Sequence, residues 1–155
     1  MVDQGIKLTD KDGVVYATGF LDEYADFDAI LSRSEPLVLN MEGVLRINSV
    51  GIRNFLKFLN AWGPKSLEYQ KCTADFIDQL NMIPAIGGIN KQAVVSSLYV
   101  PLECDSCDKE LEQLSDIKPY KDAIEKNQEL PHVKCPECGD SMNVLSESFF
   151  VFLER

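Results

Sequence analysis

The stretch Ile47-Asn48-Ser49-Val50-Gly51-Ile52-Arg53-Asn54-Phe55-Leu56-Lys57-Phe58-Leu59 is the most regular in the chain. Ile52, Phe55, Leu56 and Leu59 recur at i, i+3, i+4 and i+7, which places them on one stripe of a helix facing a sheet. Asn48 or Ser49 supplies the N-cap, since either side chain can accept from the orphan backbone donors of the first turn. Gly63-Pro64 stops the helix. Just upstream, Leu37-Val38-Leu39 is a continuous apolar run, short enough to be a strand buried at the centre of a sheet.

Working outward, Ile6 and Leu8 alternate with Lys7 and Thr9, which predicts a strand. Asp12-Gly13 marks a hairpin turn. The β-branched and aromatic run from Val14 to Phe20 predicts the second strand. Asp22 is expected to cap a helix whose apolar face is Tyr24, Phe27, Ile30 and Leu31, with Pro36 ending the connection. Beyond the central helix, the run from Leu67 to Cys72 reads as a strand. Thr73 then caps a helix with Phe76, Ile77 and Leu80 inward, and Gln92 to Leu102 reads as one long strand. The order β-β-α-β-α-β-α-β predicts an α/β fold: a mixed sheet with helices packed on it. From Lys109 to Leu130 the chain is charged and weakly patterned, with one short helix expected within Pro119 to Gln128. Met142 to Leu145 is expected to return as a strand. The apolar end, with Phe149, Phe150, Phe152 and Leu153, is expected to dock on the core as a C-terminal helix.

Two CxxC pairs stand late in the sequence: Cys104-Asp105-Ser106-Cys107 and Cys135-Pro136-Glu137-Cys138, the second followed by Gly139. Residues 108–134 separate them. Each pair delivers two thiolates on one side of a tight loop, and two such loops close a tetrahedron around one Zn²⁺ with no position left for substrate. The spacing therefore predicts a structural zinc held by Cys104, Cys107, Cys135 and Cys138. His132, the single histidine, is expected to face solvent because four cysteines already satisfy the ion. Cys72 stands alone and receives no role, as buried unpaired cysteine is common. The chain opens Met1-Val2-Asp3-Gln4-Gly5 without an apolar signal segment. Metal-spaced thiols then suggest a reducing, cytoplasmic setting.

At 155 residues a chain buries roughly 70 % of its unfolded surface, enough for a genuine core. Acidic residues number 25 against 15 basic ones, a formal net charge of −10. Phosphate contacts need clustered Lys and Arg, so this balance argues against nucleic acid as a partner, although zinc ribbons of the transcription machinery keep that alternative open. No apolar run approaches the length of a membrane span. No enzyme is expected: the single histidine lies beside a zinc loop, and neither a P-loop nor a GxGxxG is present. Glu42, Asp75 and Asp78 are expected on solvated faces. A thiol-redox or zinc sensor, losing its metal on oxidation, is a further alternative.

Three short motifs in order, Gly19-Phe20-Leu21-Asp22, Leu37-Val38-Leu39-Asn40 and Ile47-Asn48-Ser49-Val50-Gly51-Ile52, resemble the STAS domain of bacterial anti-anti-sigma factors. That pattern runs G-x-L-D, then a strand ending in Asp, then I-D-S-S-G-L. The resemblance covers roughly residues 5 to 103, close to a compact-domain size of about 100 residues. It implies a STAS-like domain over 1–103, with a zinc-ribbon module over 104–145 and a docking helix over 146–155 as additions to the usual pattern. It further implies a signalling role by partner switching. An anti-sigma factor that is also a kinase would bind the surface around Asn48, Ser49, Val50 and Gly51. Phosphorylation of Ser49 would release it. A phosphate there would sit on the positive end of the helix dipole and repel an acidic partner. Asn48 and Asn40 stand where the family has Asp, and Val50 stands where it has a second Ser. A plain helix cap accounts for Ser49 without any kinase.

Overall fold

The computed structural model describes residues 4–154. Strand β1 (Ile6–Lys11) turns at Asp12-Gly13 into β2 (Val14–Leu21), and the two pair antiparallel. Next come β3 (Leu37–Ile47), helix α1 (Ser49–Trp62), β4 (Leu67–Gln70), helix α2 (Ala74–Met82) and β5 (Ala93–Val95). Strands β2 to β5 run parallel to one another, giving a five-stranded mixed sheet ordered β1-β2-β3-β4-β5. The mixed α/β class is as the sequence predicts. One sheet face is apolar, with Val15, Ala17, Leu37, Leu39, Leu67 and Tyr69 buried; Phe55, Phe58, Leu59 and Trp62 of α1 belong to the same core. The other face carries Glu68, Gln70 and a half-buried Val38.

A second sheet follows. Strand β6 (Ser97–Cys104), β7 (Glu110–Asp116), β8 (Val133–Lys134) and β9 (Ser141–Val144) form an antiparallel sheet ordered β7-β6-β9-β8. Helix α3 (Lys118–Glu125) lies between β7 and β8. Its Tyr120 stacks on Phe150 at 4.7 Å between ring centroids. The last described residues form a 3-10 turn, Val151–Glu154, with Phe149 and Phe150 buried just before it. Asn81 of α2 holds that segment: its Nδ2 donates to the Phe149 carbonyl at 2.8 Å, and its Oδ1 accepts from the Phe152 N–H at 2.8 Å.

Three expectations need correction. The helix expected from Asp22 is absent; the chain there is irregular apart from a 3-10 turn at Asp28–Ile30. The Asp22 carboxylate accepts from the Tyr24 N–H at 2.9 Å and from the Gly5 N–H at 3.1 Å, so it builds a turn and ties the edge strand instead of opening a helix. Phe27 and Ile30 are buried as expected, but Tyr24 is 56 % exposed. The strand expected from Gln92 to Leu102 is divided at Ser96. Ahead of it β5 pairs with β4; behind it β6 leaves β4 through a single bridge, Cys72 to Leu98, and enters the second sheet. The apolar run at Leu37 is the buried central strand expected, at the start of an eleven-residue β3 that is bulged where β2 loses register with it. The weakly patterned segment after Lys109 contains β7, ordered by pairing with β6 from Glu103 to Ser97.

Candidate metal centre

The four cysteines expected to ligate metal are brought together by two hairpin turns of the second sheet. One joins β6 to β7 and carries Cys104 and Cys107. The other joins β8 to β9 and carries Cys135 and Cys138. The two loops have the same backbone. In the first, the Asp108 N–H donates to the Cys104 carbonyl at 2.9 Å and the Cys104 N–H to the Lys109 carbonyl at 2.8 Å. In the second, the Gly139 N–H donates to the Cys135 carbonyl at 2.9 Å and the Cys135 N–H to the Asp140 carbonyl at 2.7 Å. The residue after each pair is left-handed, with φ of 61° at Asp108 and 81° at Gly139. Glycine reaches that region without strain, and aspartate is among the few side chains that tolerate it.

All four Sγ atoms lie within 4.8 Å of one another, so the set can hold a metal ion. Cys104 Sγ is 3.5 Å from Cys138 Sγ, and Cys107 Sγ is 3.5 Å from Cys135 Sγ. A tetrahedron with metal–sulfur bonds of about 2.3 Å has edges of ~3.8 Å, close to these separations. Cys104 and Cys135 are buried; Cys107 and Cys138 are exposed. Burial acts to raise the Cys135 thiol, but backbone N–H groups of Cys138 and Glu137 and the neighbouring sulfurs outweigh it, bringing it down to about 7. For Cys138 the Asp140 backbone pulls downward, yet sharing protons with Cys104 leaves it pushed up to about 12. Such a set ionises fully only when a cation pays the repulsion between thiolates.

Polar contacts cross between the loops. Ser106 donates to the Asp140 carboxylate, Asn143 Nδ2 donates to Asp105 Oδ2 at 2.6 Å, and Lys109 Nζ lies 3.5 Å from Glu137 Oε1. His132 stands outside the cysteine cluster, its side chain 71 % exposed and 3.2 Å from Glu129. Cys72 is buried at the junction of the two sheets, and burial pushes its thiol far up, so it is inert at neutral pH.

The second sequence-predicted site lies at the other end of the first half. Asn48, not Ser49, caps α1: its Oδ1 accepts from the Gly51 N–H at 2.8 Å, and its Nδ2 donates to Glu23 at 3.2 Å. Ser49 is the first helical residue, exposed, as is Val50. Gly51 is buried against β2, and a Cβ there would lie 1.8 Å from the Leu21 carbonyl oxygen. Asn40 is buried and its Oδ1 accepts from the Glu42 N–H at 3.0 Å, a local turn bond that an amide makes without burying charge. Sequence reasoning missed the apolar residues around this helix start. Leu45 is 70 % exposed and Val50 38 %, while Arg46 lies over the Phe20 ring at 5.6 Å. The signal was present in β3, where Leu45 breaks the alternation of its outward positions. No described helix is long and apolar enough to cross a membrane. No family model, curated protein or solved structure matches the chain.

Proposed function

We propose that this protein is a STAS-type protein-interaction domain that acts by binding, not by turnover, with one structural zinc in its four-cysteine module. The observation that carries the reading is the exposed first turn of α1, where Ser49 and Val50 face solvent beside a surface pocket lined by Phe20, Tyr24, Arg46 and Asn48. Tyr24 and Val50 leave apolar surface there that a partner could cover. This surface lies at the carboxyl ends of β2 and β3, where open α/β sheets commonly place their sites. The partner is a protein of the anti-sigma or kinase kind, and phosphate on Ser49 would remove it by charge.

Zinc suits the donor set because four thiolates leave no open coordination position and a d¹⁰ ion imposes no geometry of its own. Iron accepts the same four sulfurs, so metal analysis of purified protein is the direct check, with one zinc equivalent per chain expected. For the interaction, capture of partner from cell extract by wild type, Ser49→Asp and Ser49→Ala is the test. Asp should abolish capture while Ala keeps it. Equal capture by all three removes Ser49 from the surface.

A further inference from the structure

A cavity of about 250 Å³ lies between the two halves, away from both the cysteines and the start of α1. Tyr69 of β4 and Val95 of β5 line it from the first sheet, Ile117 lines it from the α3 side, and Phe152 and Leu153 line it from the chain end. Its apolar character is complete on those sides. Even the Tyr69 hydroxyl is spent, donating to the Ile86 carbonyl at 2.6 Å. The only charged residues lining it are Lys91 and Lys121; no carboxylate lines it. In a chain of net charge −10, two cations on one apolar cavity run against the background.

Neither lysine has an ion pair among the described residues; the pairs there use Arg33, Lys109, Lys118 and His132. Both are set by rigid local structure. Lys121 sits in the first turn of α3. Lys91 holds a left-handed φ of 56°, in a turn fixed by Gln92. Gln92 Nε2 donates to the Gly63 carbonyl at 2.7 Å, and its Oε1 accepts from the Asn90 N–H at 3.1 Å. A non-glycine residue held in that region persists only where its surroundings enforce it.

We infer that this cavity binds an aliphatic monocarboxylate, its chain among Tyr69, Val95, Ile117 and Leu153 and its carboxylate between Lys91 and Lys121. The volume holds about eight water-sized groups at ~30 Å³ each, the bulk of an octanoate body. Two ammonium groups offer point charges for one small anionic head, and the apolar remainder of the lining favours a head that carries an alkyl chain. Chain burial supplies affinity and the lysines supply orientation, the usual division of labour in such pockets.

The test is a methyl NMR titration of the full-length, metal-loaded protein with sodium octanoate and, separately, with 1-octanol. Octanoate should saturate at millimolar concentration or below, shifting the methyls of Val95, Ile117 and Leu153. Octanol should bind about tenfold more weakly, the effect of losing the charge contact. Lys121→Glu and Lys91→Glu, on separate elements, should each weaken octanoate about tenfold and leave octanol unchanged. Ser49→Asp should bind octanoate as wild type does, which keeps this site distinct from the proposed docking surface. The inference is overturned by non-saturating shifts, by equal affinity for octanol, by octanoate shifts at Leu45 and Val50 instead, or by undiminished binding in either lysine variant.

Discussion

The five-stranded and four-stranded sheets bury their residues in different ways. In the first, β3 runs through the centre with Leu37, Leu39, Met41 and Val44 buried, and α1 adds Ile52, Phe55, Phe58, Leu59 and Trp62 to the same core. Aromatic rings there pack edge on: Phe27 to Phe55 at 5.1 Å and Tyr69 to Phe76 at 5.0 Å between centroids. In the second sheet, β7 and β8 contain no buried residue and β9 contains only Met142. The sheet is rooted in the shared core through Leu98, Val100 and Leu102 of β6, and its far end carries the four cysteines. The difference is that the first sheet is ordered by burial of carbon, while the second pairs sparse burial with four cysteines that could hold a metal ion. A half that cannot bury enough apolar surface needs another source of folding free energy.

The largest effect should come from attacking that cysteine cluster. Structural zinc in small modules contributes apparent binding energies of about 10–16 kcal/mol. Chelation, or Cys135→Ser, should therefore abolish hydrogen-exchange protection across β8 and β9 and open both loops to protease. The amides of β3 and α1 should stay protected, because both belong to the first sheet's layer and neither carries one of the four cysteines. Loss of protection throughout the chain would show that the two sheets form one cooperative unit.

The first half has its own point of failure. The α1 backbone approaches β2 so closely at Gly51 that an added Cβ would meet the Leu21 carbonyl carbon at 2.1 Å and the Asp22 nitrogen at 2.5 Å. These are backbone atoms, which cannot swing aside as a side-chain tip can. Gly51→Ala should cost about 3 kcal/mol or more, at the upper end of overpacking penalties. Denaturant unfolding measures it. A cost below about 1 kcal/mol would mean that α1 can slide on the sheet.

Asn81 couples the halves. Its two hydrogen bonds to Phe149 and Phe152 tie the chain end, and with it Phe150 and Tyr120 of α3, to helix α2. Asn81→Ala should lower stability by about 2 kcal/mol, counting roughly 1 for each bond. Amide exchange in Val151–Glu154 should rise while β1 and β2 remain unchanged. Unaltered exchange there would assign the docking to the buried phenylalanines alone.

What was legible in the sequence was local. The stripe Ile52, Phe55 and Leu59, the Thr73 cap, which accepts from the Phe76 N–H at 3.1 Å, and the cysteine spacing could be read because each depends on residues a few positions apart. The failures turn mainly on partners far away in sequence. Asp22 looked like a helix cap, but its carboxylate is taken up by Gly5, seventeen positions away. Strand β7, Glu-Leu-Glu-Gln-Leu-Ser-Asp, has no periodicity to announce it, and is a strand because β6 offers it a partner. The division at Ser96 follows from a sheet junction: its N–H donates to the Tyr69 carbonyl at 3.0 Å while its own carbonyl accepts from Ile117. No pattern within residues 92–102 encodes either bond.

The smallest predicted effect bears on the surface where the first half would meet its partner. A choice between Asn48 and Ser49 as the cap was left open by sequence, and it matters for reading any Ser49 variant. With Asn48 Oδ1 accepting the Gly51 N–H, Asn48→Ala removes the cap and should cost about 1 kcal/mol. Ser49 is exposed at the first helical position and no side-chain bond of its hydroxyl caps the helix. Ser49→Ala should therefore change stability by only a few tenths of a kcal/mol, since serine and alanine differ little in exposed helix positions. Ser49→Asp should be equally mild or slightly stabilising, because an acidic group in the first turn complements the helix dipole. Melting curves of the three variants establish this order. If Asn48→Ala proves the only costly change, a loss of partner capture in Ser49→Asp reports charge on a surface and not damage to a helix. If Ser49→Ala is the more destabilising, Ser49 carries a structural bond in solution, and its variants cannot separate signalling from folding.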